Sequence, residues 1–267
     1  MSRTPSGSAQ AGLNRRGQDD SQAGHLYSAS LAARALKLAR ERGFGFLLRK
    51  CAAVAGRKLY AATLLRFRKP GSFPFGGKRY DYFFHPYNYT WDNERAVEIP
   101  LALEYLALHR GGRILEVGNV LSHYVRADWD IVDKFERENG VIPADAATFC
   151  PEEPYDLVIS ISTLEHVGFD DYPRDPALIP QAVANLTAHC LRPGGRMVVT
   201  VPVGYNPHLD RLLFEGGLGE NRLRFLKRTG RYAWREASVD EVRGTGYATE
   251  FIEAGALAVV EWERNEK

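Results

Sequence analysis

Beyond residue 110 the chain is organised by short apolar runs set between polar or glycine-rich breaks. Ile114–Val117 is the first such run, and it stops at Gly118. Trp129–Val132 is the second and ends on Asp133. Val141–Ile142 starts a weak third, followed by Asp145. Leu157–Ile161 is a fourth, introduced by Tyr155-Asp156. Met197–Val201 is a fifth, stopped by Pro202. Apolar runs of this length, unbroken by alternation, predict strands buried on both faces of a parallel sheet. Between the fourth and fifth runs, Asp175 to Leu191 has helical character, and the turn Arg192-Pro-Gly-Gly195 follows with glycine past the helix end. Leu223–Leu226 and Ala256–Val260 can supply two more strands. Only about ten residues separate Gly118 from Asp128, so the first crossover helix must be short, around Leu121–Arg126. Strands alternating with helices predict an α/β fold with helices on both faces of a mostly parallel sheet.

The region before residue 110 has a different pattern. Residues 28–42 read as an amphipathic helix with Leu31, Ala35, Leu38 and Ala39 on one face and Arg34, Lys37 and Arg40 towards another. A second apolar-basic stretch, Phe46 to Phe67, continues helical to a break near Gly56. Pro70-Gly-Ser-Phe-Pro74 reads as a linker. Residues 80–100, YDYFFHPYNYTWDNERAVEIP, mix rings with His85, Asn88, Asp92, Asn93, Glu94 and Arg95. Such a segment fills a core or lines a substrate cleft. A helix from Glu94 to Leu108 follows it. Residues 1–27 lack the apolar core of a secretory signal, and their Ser, Gly, Gln and Arg bury too little to offset ordering entropy; they read as a disordered tail. The expected organisation is therefore a tail at 1–27, a basic amphipathic helical segment at 28–72 and an α/β domain at 73–267.

Charge sharpens this division. The chain of 267 residues has a net charge of +2. Residues 31–69 hold eleven Lys or Arg and one acid, Glu41, so a segment near +10 sits on a body near −8. A basic amphipathic segment suits an anionic membrane surface, or a helical cap whose charges are solvated. It lacks the aromatic-basic interleaving of single-strand readers, which makes nucleic acid an unlikely partner. The three cysteines are scattered and have no metal-like spacing, which fits a reducing, cytoplasmic setting better than a disulfide scaffold. No run is long and apolar enough to span a bilayer.

The candidate chemistry gathers at the strand ends. In an open α/β sheet, ligands bind beyond the carboxyl ends of the strands. Glu116, Gly118, Asp133, Asp145 and the Ser160–His166 loop all fall there. In RILEVGNVLS the acid and glycine stand where nucleotide-binding α/β folds hold a cofactor. Val120 and Ser122 occupy the places of the second and third loop glycines. Val120 adds bulk, and Ser122 can donate a hydrogen bond in compensation. Each acid also has a structural role open to it: Asp133 as a turn residue, Glu116 as an acceptor for loop amides, Asp145 as a helix cap. Glu165-His166 is the best-placed acid–base pair, His166 titrating near neutrality in its ordinary state; a helix-start histidine bonded to backbone is the other reading. Beyond the fifth strand, Tyr205, Asn206, His208 and Asp210 form a polar cluster at the same edge. His123 faces either a ligand or solvent.

LEVG (115–118), Asp133, YDLVISISTLEHV (155–167) and LRPGGRMVVTVP (191–202) together resemble class I S-adenosylmethionine-dependent methyltransferases over roughly residues 95–262. With GNVLSHY (118–124) and VPVGYNP (201–207), the pattern is most similar to a methyltransferase-like family associated with glycan or cell-surface biosynthesis. The resemblance implies a Rossmann-like, doubly wound, mostly parallel sheet, here with a basic helical N-terminal extension. It implies S-adenosylmethionine as cofactor, with Glu116 and Gly118 flanking its methionine part and Asp133 accepting its ribose hydroxyls. Asp145 would lie near the adenine, with Ser122 and Ser162 completing the cofactor set. His166 and Glu165 would serve catalysis on a hydroxyl of a sugar, glycan or other small molecule. The alternative is a non-catalytic methyltransferase-like binding or scaffold protein in which Val120 fills the cofactor space. No Asn/Asp-Pro-Pro-aromatic motif follows the fourth strand; Ser160-Ile-Ser-Thr163 stands there. No metal cluster is expected.

Overall fold

The computed structural model describes residues 70–249, 251 and 253–265, with a few isolated positions between 45 and 63. The chain divides into two compact units, Met1–Ala62 and Thr63–Lys267, and all the strands and helices named below belong to the second. The tail at 1–27 and nearly all of the basic segment at 28–72 lie outside the described residues. No helix among the described residues is long and apolar enough to cross a membrane.

The first element departs from the sequence reading. The stretch read as a linker contributes a strand, β1 (Ser72–Phe75), which pairs antiparallel with β2 (Lys78–Asp81). Gly76 and Gly77, both at positive φ, make the two-residue turn between them, the backbone that a tight hairpin needs. Pro74 is tolerated because the sheet has only two strands and its nitrogen need not serve a ladder. The hairpin is held by its apolar face: Phe73 and Phe75 are buried, and Phe73, Tyr80, Tyr82 and Phe84 form a column of stacked rings.

Helix α1 (Arg95–Leu108) begins one residue after the expected start. The Asn93 side-chain oxygen, just ahead of the cap residue Glu94, accepts from the Arg95 amide at 3.0 Å. Pro100 lies inside the helix and supplies no N–H for the Ala96 carbonyl one turn earlier. That carbonyl accepts from Phe83 N at 2.9 Å instead. The proline thus gives the aromatic segment a point of attachment on the helix.

The main sheet has eight strands. Its elements are β3 (Ile114–Val117), β4 (Asp130–Asp133), β5 (Val141–Pro143), β6 (Tyr155–Ile161), β7 (Leu191–Pro202), β8 (Arg222–Gly230), β9 (Ala233–Ala237) and β10 (Ala256–Glu263). They lie in the order β5-β4-β3-β6-β7-β10-β8-β9. The first five are parallel; β10 is antiparallel to both β7 and β8. The fold is Rossmann-like, with the order reversing at β3, which is paired to β4 on one side and β6 on the other. Two-residue alternation divides the core. Val158, Val199 and Ala258 pack with helix α2 (Leu178–Asn185, continued by a wider turn Leu186–Cys190) and α3 (Pro207–Glu215). Leu157, Val198 and Val259 pack on the opposite face with α1 and the hairpin. A short helix α4 (Val239–Val242) follows β9.

Three expectations are corrected. The crossover between β3 and β4 holds only a single turn, Leu121–His123, not two turns to Arg126. Between β4 and β6 there is no helix among the described residues, since residues 134–140 and 144–154 are too few for a helical crossover. The Arg192–Gly195 turn does not simply follow a helix end. Leu191 already pairs with Tyr155, and the turn bulges out before Arg196 resumes pairing opposite Leu157.

Candidate functional site

At the carboxyl end of β3, the carboxylate of Glu116 is buried and bonded within the protein. One oxygen accepts from Val120 N at 2.8 Å and Leu121 N at 2.7 Å; the other accepts from Trp129 Nε1 at 2.9 Å. It fixes the loop that replaces the usual glycine-rich turn, so contact with a ligand would require these donors to be released. Gly118 has φ +85°, and a Cβ on it would collide with the Thr163 side chain. The missing side chain thus lets the loops after β3 and β6 close against each other. Ser122 donates to the Asn119 side chain, and Asn119 donates to Glu136 at 2.6 Å. Val120 packs with the Ile99, Leu121 and Ile161 cluster.

At the ends of β4 and β5, Asp133 accepts from Phe135 N (2.7 Å) and Glu136 N (2.8 Å) through the same oxygen. This turn orients the side chain, and Oδ2 has no partner among the described residues. Asp145 accepts from Ala147 N at 2.9 Å and meets Lys134 Nζ at 3.0 Å, which also reaches Asp171 at 3.0 Å. Lys134 therefore ties the β4 loop to two others. Of the acids at this rim, Asp133 keeps an acceptor oxygen that is not bonded among the described residues.

A second constellation lies beyond β6 and β7. Ser162, at φ +40°, donates to Glu98 Oε1 at 2.7 Å. Thr200 of β7 donates to the same oxygen at 2.7 Å, and Arg95 pairs with Glu98 Oε2. A fully buried carboxylate on α1 thereby joins the ends of two strands and holds a guanidinium. Burial works against the Arg95 charge, but Glu98 and Glu94 outweigh it and raise its pKa.

Glu165 is 2% exposed, and its Oε2 has no hydrogen-bond partner among the described residues. Burial raises its carboxyl well above the usual range. Its neighbour His166 is exposed; Nε2 lies 3.7 Å from Glu165 Oε1, and Nδ1 is bonded to Asp170. Tyr205 packs edge-on against the imidazole and donates to Asp170 Oδ2 at 2.8 Å. A carboxylate on Nδ1 favours the tautomer whose Nε2 is an acceptor, the requirement for a base. Asn206 donates to the Glu165 carbonyl at 2.8 Å while capping α3 through His208 N and Leu209 N. Asn206-Pro207 is thus a helix start, not merely a turn. Asp210 accepts from Gly204 N, and His208 bonds Arg211. His123 stacks on Tyr87.

These groups border a cavity of about 190 Å³ lined by Asn88, Glu94, Arg95, Glu165, His166 and Tyr205, among others. The aromatic segment 80–100 therefore serves both readings made of it: its rings pack, and its amides and charges line a cleft. Asn88 and Tyr89, both at positive φ, carry the backbone strain that clusters at such places. Of the predicted site residues, the structure gathers Ser162, Glu165 and His166 here; Glu116, Gly118, Ser122, Asp133 and Asp145 lie at the ends of β3, β4 and β5, outside the lining of this cavity. Sequence reading did not single out Glu98 or Asp170. Glu98 sits in a helix where acids are usually solvated, and its one signal was Arg95 three residues before it. Asp170 stands one helical turn after His166, but the segment is not a regular helix.

No family model matches the chain, and no curated sequence does. Solved structures similar to it include the N-methyltransferase NodS from Bradyrhizobium japonicum WM9 in complex with S-adenosyl-L-homocysteine, at 16% identity over 66% of this chain and 90% of that one, TM-score 0.40. The 1,6-didemethyltoxoflavin-N1-methyltransferase of Burkholderia thailandensis, with bound 1,6-didemethyltoxoflavin and S-adenosylhomocysteine, is 14% identical over 68% and 84%, TM-score 0.38. The glycopeptide N-methyltransferase MtfA complexed with S-adenosyl-L-homocysteine is 12% identical over 62% and 86%, TM-score 0.33.

Proposed function

We propose that the domain is an S-adenosylmethionine-dependent methyltransferase acting on a hydroxyl of a sugar, glycan or other small polar molecule. The observation that carries this reading is the Asp170–His166–Glu165 arrangement at a polar cavity beyond the carboxyl ends of β6 and β7. The cofactor supplies an electrophilic methyl group on sulfur when bound. Asp133 Oδ2 would accept the cofactor's ribose hydroxyls. His166 Nε2 takes the proton of the acceptor hydroxyl, while Asp170 keeps the imidazole oriented. Holding acceptor and methyl donor in line provides much of the remaining rate.

Calorimetric titration with adenosylhomocysteine tests the reading. Heat of binding is expected, and Asp133→Ala should abolish it. A folded sample giving no heat at high protein concentration would sink the enzyme. The second reading, a non-catalytic binding or scaffold module, is favoured by one observation: Glu116, Ser122, Asp145 and Ser162 all spend hydrogen bonds within the protein. The same silent titration would support it.

The charge of residues 31–69 supports contact with an anionic membrane surface. The full chain should cosediment with anionic liposomes and be released by salt; equal recovery with neutral liposomes would remove the idea.

A further inference from the structure

The cavity beside His166 has more acceptors than its own protein donors can satisfy. Three carboxyl groups line it, from Glu94, Glu165 and Glu253. They come from the start of α1, the loop after β6 and the loop before β10. Its guanidinium, Arg95, is already bound to Glu98. Glu253 accepts from Tyr247 at 2.8 Å, and Glu94 accepts from Ala254 N at 3.3 Å. Glu165 Oε2 has nothing, although it is buried. A buried polar atom left unpaired costs about 1–3 kcal/mol, so a missing donor is the natural explanation. Burial also pushes the Glu94 carboxyl up to about 7, with the charge of Glu98 adding to the rise. Burial likewise raises the Glu165 carboxyl well above the usual range.

We infer that this cavity receives the ammonium group of a small polyhydroxylated amine, of the chemistry of an amino sugar. An ammonium brings three N–H donors to acceptor-only groups, where a hydroxyl brings one. It also brings a positive charge to a cavity lined by three carboxyl groups. Asn88 and Asn93 line the same cavity, with the Asn93 amide donating to the Asn88 carbonyl at 2.8 Å. The volume of about 190 Å³ is below the roughly 300–1,000 Å³ of sites for drug-sized ligands, which restricts the occupant to one small ring or chain. The ammonium is the anchor, and a hydroxyl of the same molecule reaches His166. The inference rests on reading this cavity as the place of the methyl acceptor.

The test is titration of the full chain with glucosamine, glucose and N-acetylglucosamine at neutral pH and constant ionic strength. Glucosamine is expected to bind about tenfold or more tightly than either neutral sugar, a difference of about 1.4 kcal/mol. Glu165→Gln, which keeps the volume but removes the acid, should erase that preference. Glu94→Gln is read in the same way should the first variant fail to fold. Equal binding of the three sugars, no binding of glucosamine, or an intact preference in both variants overturns the inference. A chain that binds adenosylhomocysteine but shows no preference for the amine loses this inference alone. One that prefers the amine but ignores adenosylhomocysteine loses the methyltransferase reading alone.

Discussion

Glu98→Ala is expected to destabilise the domain by roughly 3–5 kcal/mol, the usual cost of removing one partner from a buried ion pair. The side chain is fully buried and accepts from Ser162, Thr200 and Arg95 at once. Its loss leaves two hydroxyls without their acceptor and a guanidinium, 14% exposed, without its main counter-charge. Glu94 supplies some compensation, since its carboxyl also favours the Arg95 cation. Glu98→Gln should cost less, because an amide oxygen still accepts from the hydroxyls. Urea unfolding of the three proteins at one pH measures both effects. A loss below about 1 kcal/mol for Glu98→Ala would show that Arg95 finds water or another partner, and that the buried pair does not hold α1 to the strand ends.

His166→Ala is expected to lower turnover about 10²–10⁴-fold, the range contributed by a positioned general base, with little change in stability because the side chain is 45% exposed. Asp170→Asn should give a smaller loss. An amide placed on Nδ1 either donates to it, which selects the wrong tautomer, or accepts from it without the carboxylate's charge. The diagnostic is that His166→Ala and His166→Ala/Asp170→Asn have nearly equal rates, since a positioning residue has nothing to position once the imidazole is gone. Full activity of His166→Ala with an identified acceptor would refute the base assignment. A further loss from Asp170→Asn in the absence of His166 would mean that the carboxylate acts on its own.

The difference between what was legible and what was not has a physical origin at each element. The strands at 114–117, 157–161, 197–201 and 256–260 were readable because they are buried on both faces, and continuous apolar side chains are the direct mark of that burial. Helix α1 was readable within a residue for a similar reason, through its apolar face and the break before it. The hairpin was not: Pro70 to Pro74 has the composition of a linker, and only pairing across Gly76-Gly77 and burial of Phe73 and Phe75 make it a strand. The short crossovers around β4 and β5 were only half visible, since a chain that is too short for a helix still does not say what replaces one.

The site divides in the same way. Residue types at strand ends could place Glu116, Asp133, Asp145, Glu165 and His166 at one edge of the sheet, because topology puts carboxyl ends together. They could not say which acids would be consumed there. Hydrogen bonds and burial decide that: the loop amides and Trp129 take Glu116, a turn takes half of Asp133, Lys134 takes Asp145, and a buried Oε2 leaves Glu165 unpaired. The sequence by itself determined the α/β architecture and the edge where chemistry belongs, because burial is written in local patterns of apolar residues. Only the tertiary structure brought Glu94, Glu165 and Glu253 around one cavity, because contacts between distant segments depend on how the strands are ordered, and no local pattern encodes that order.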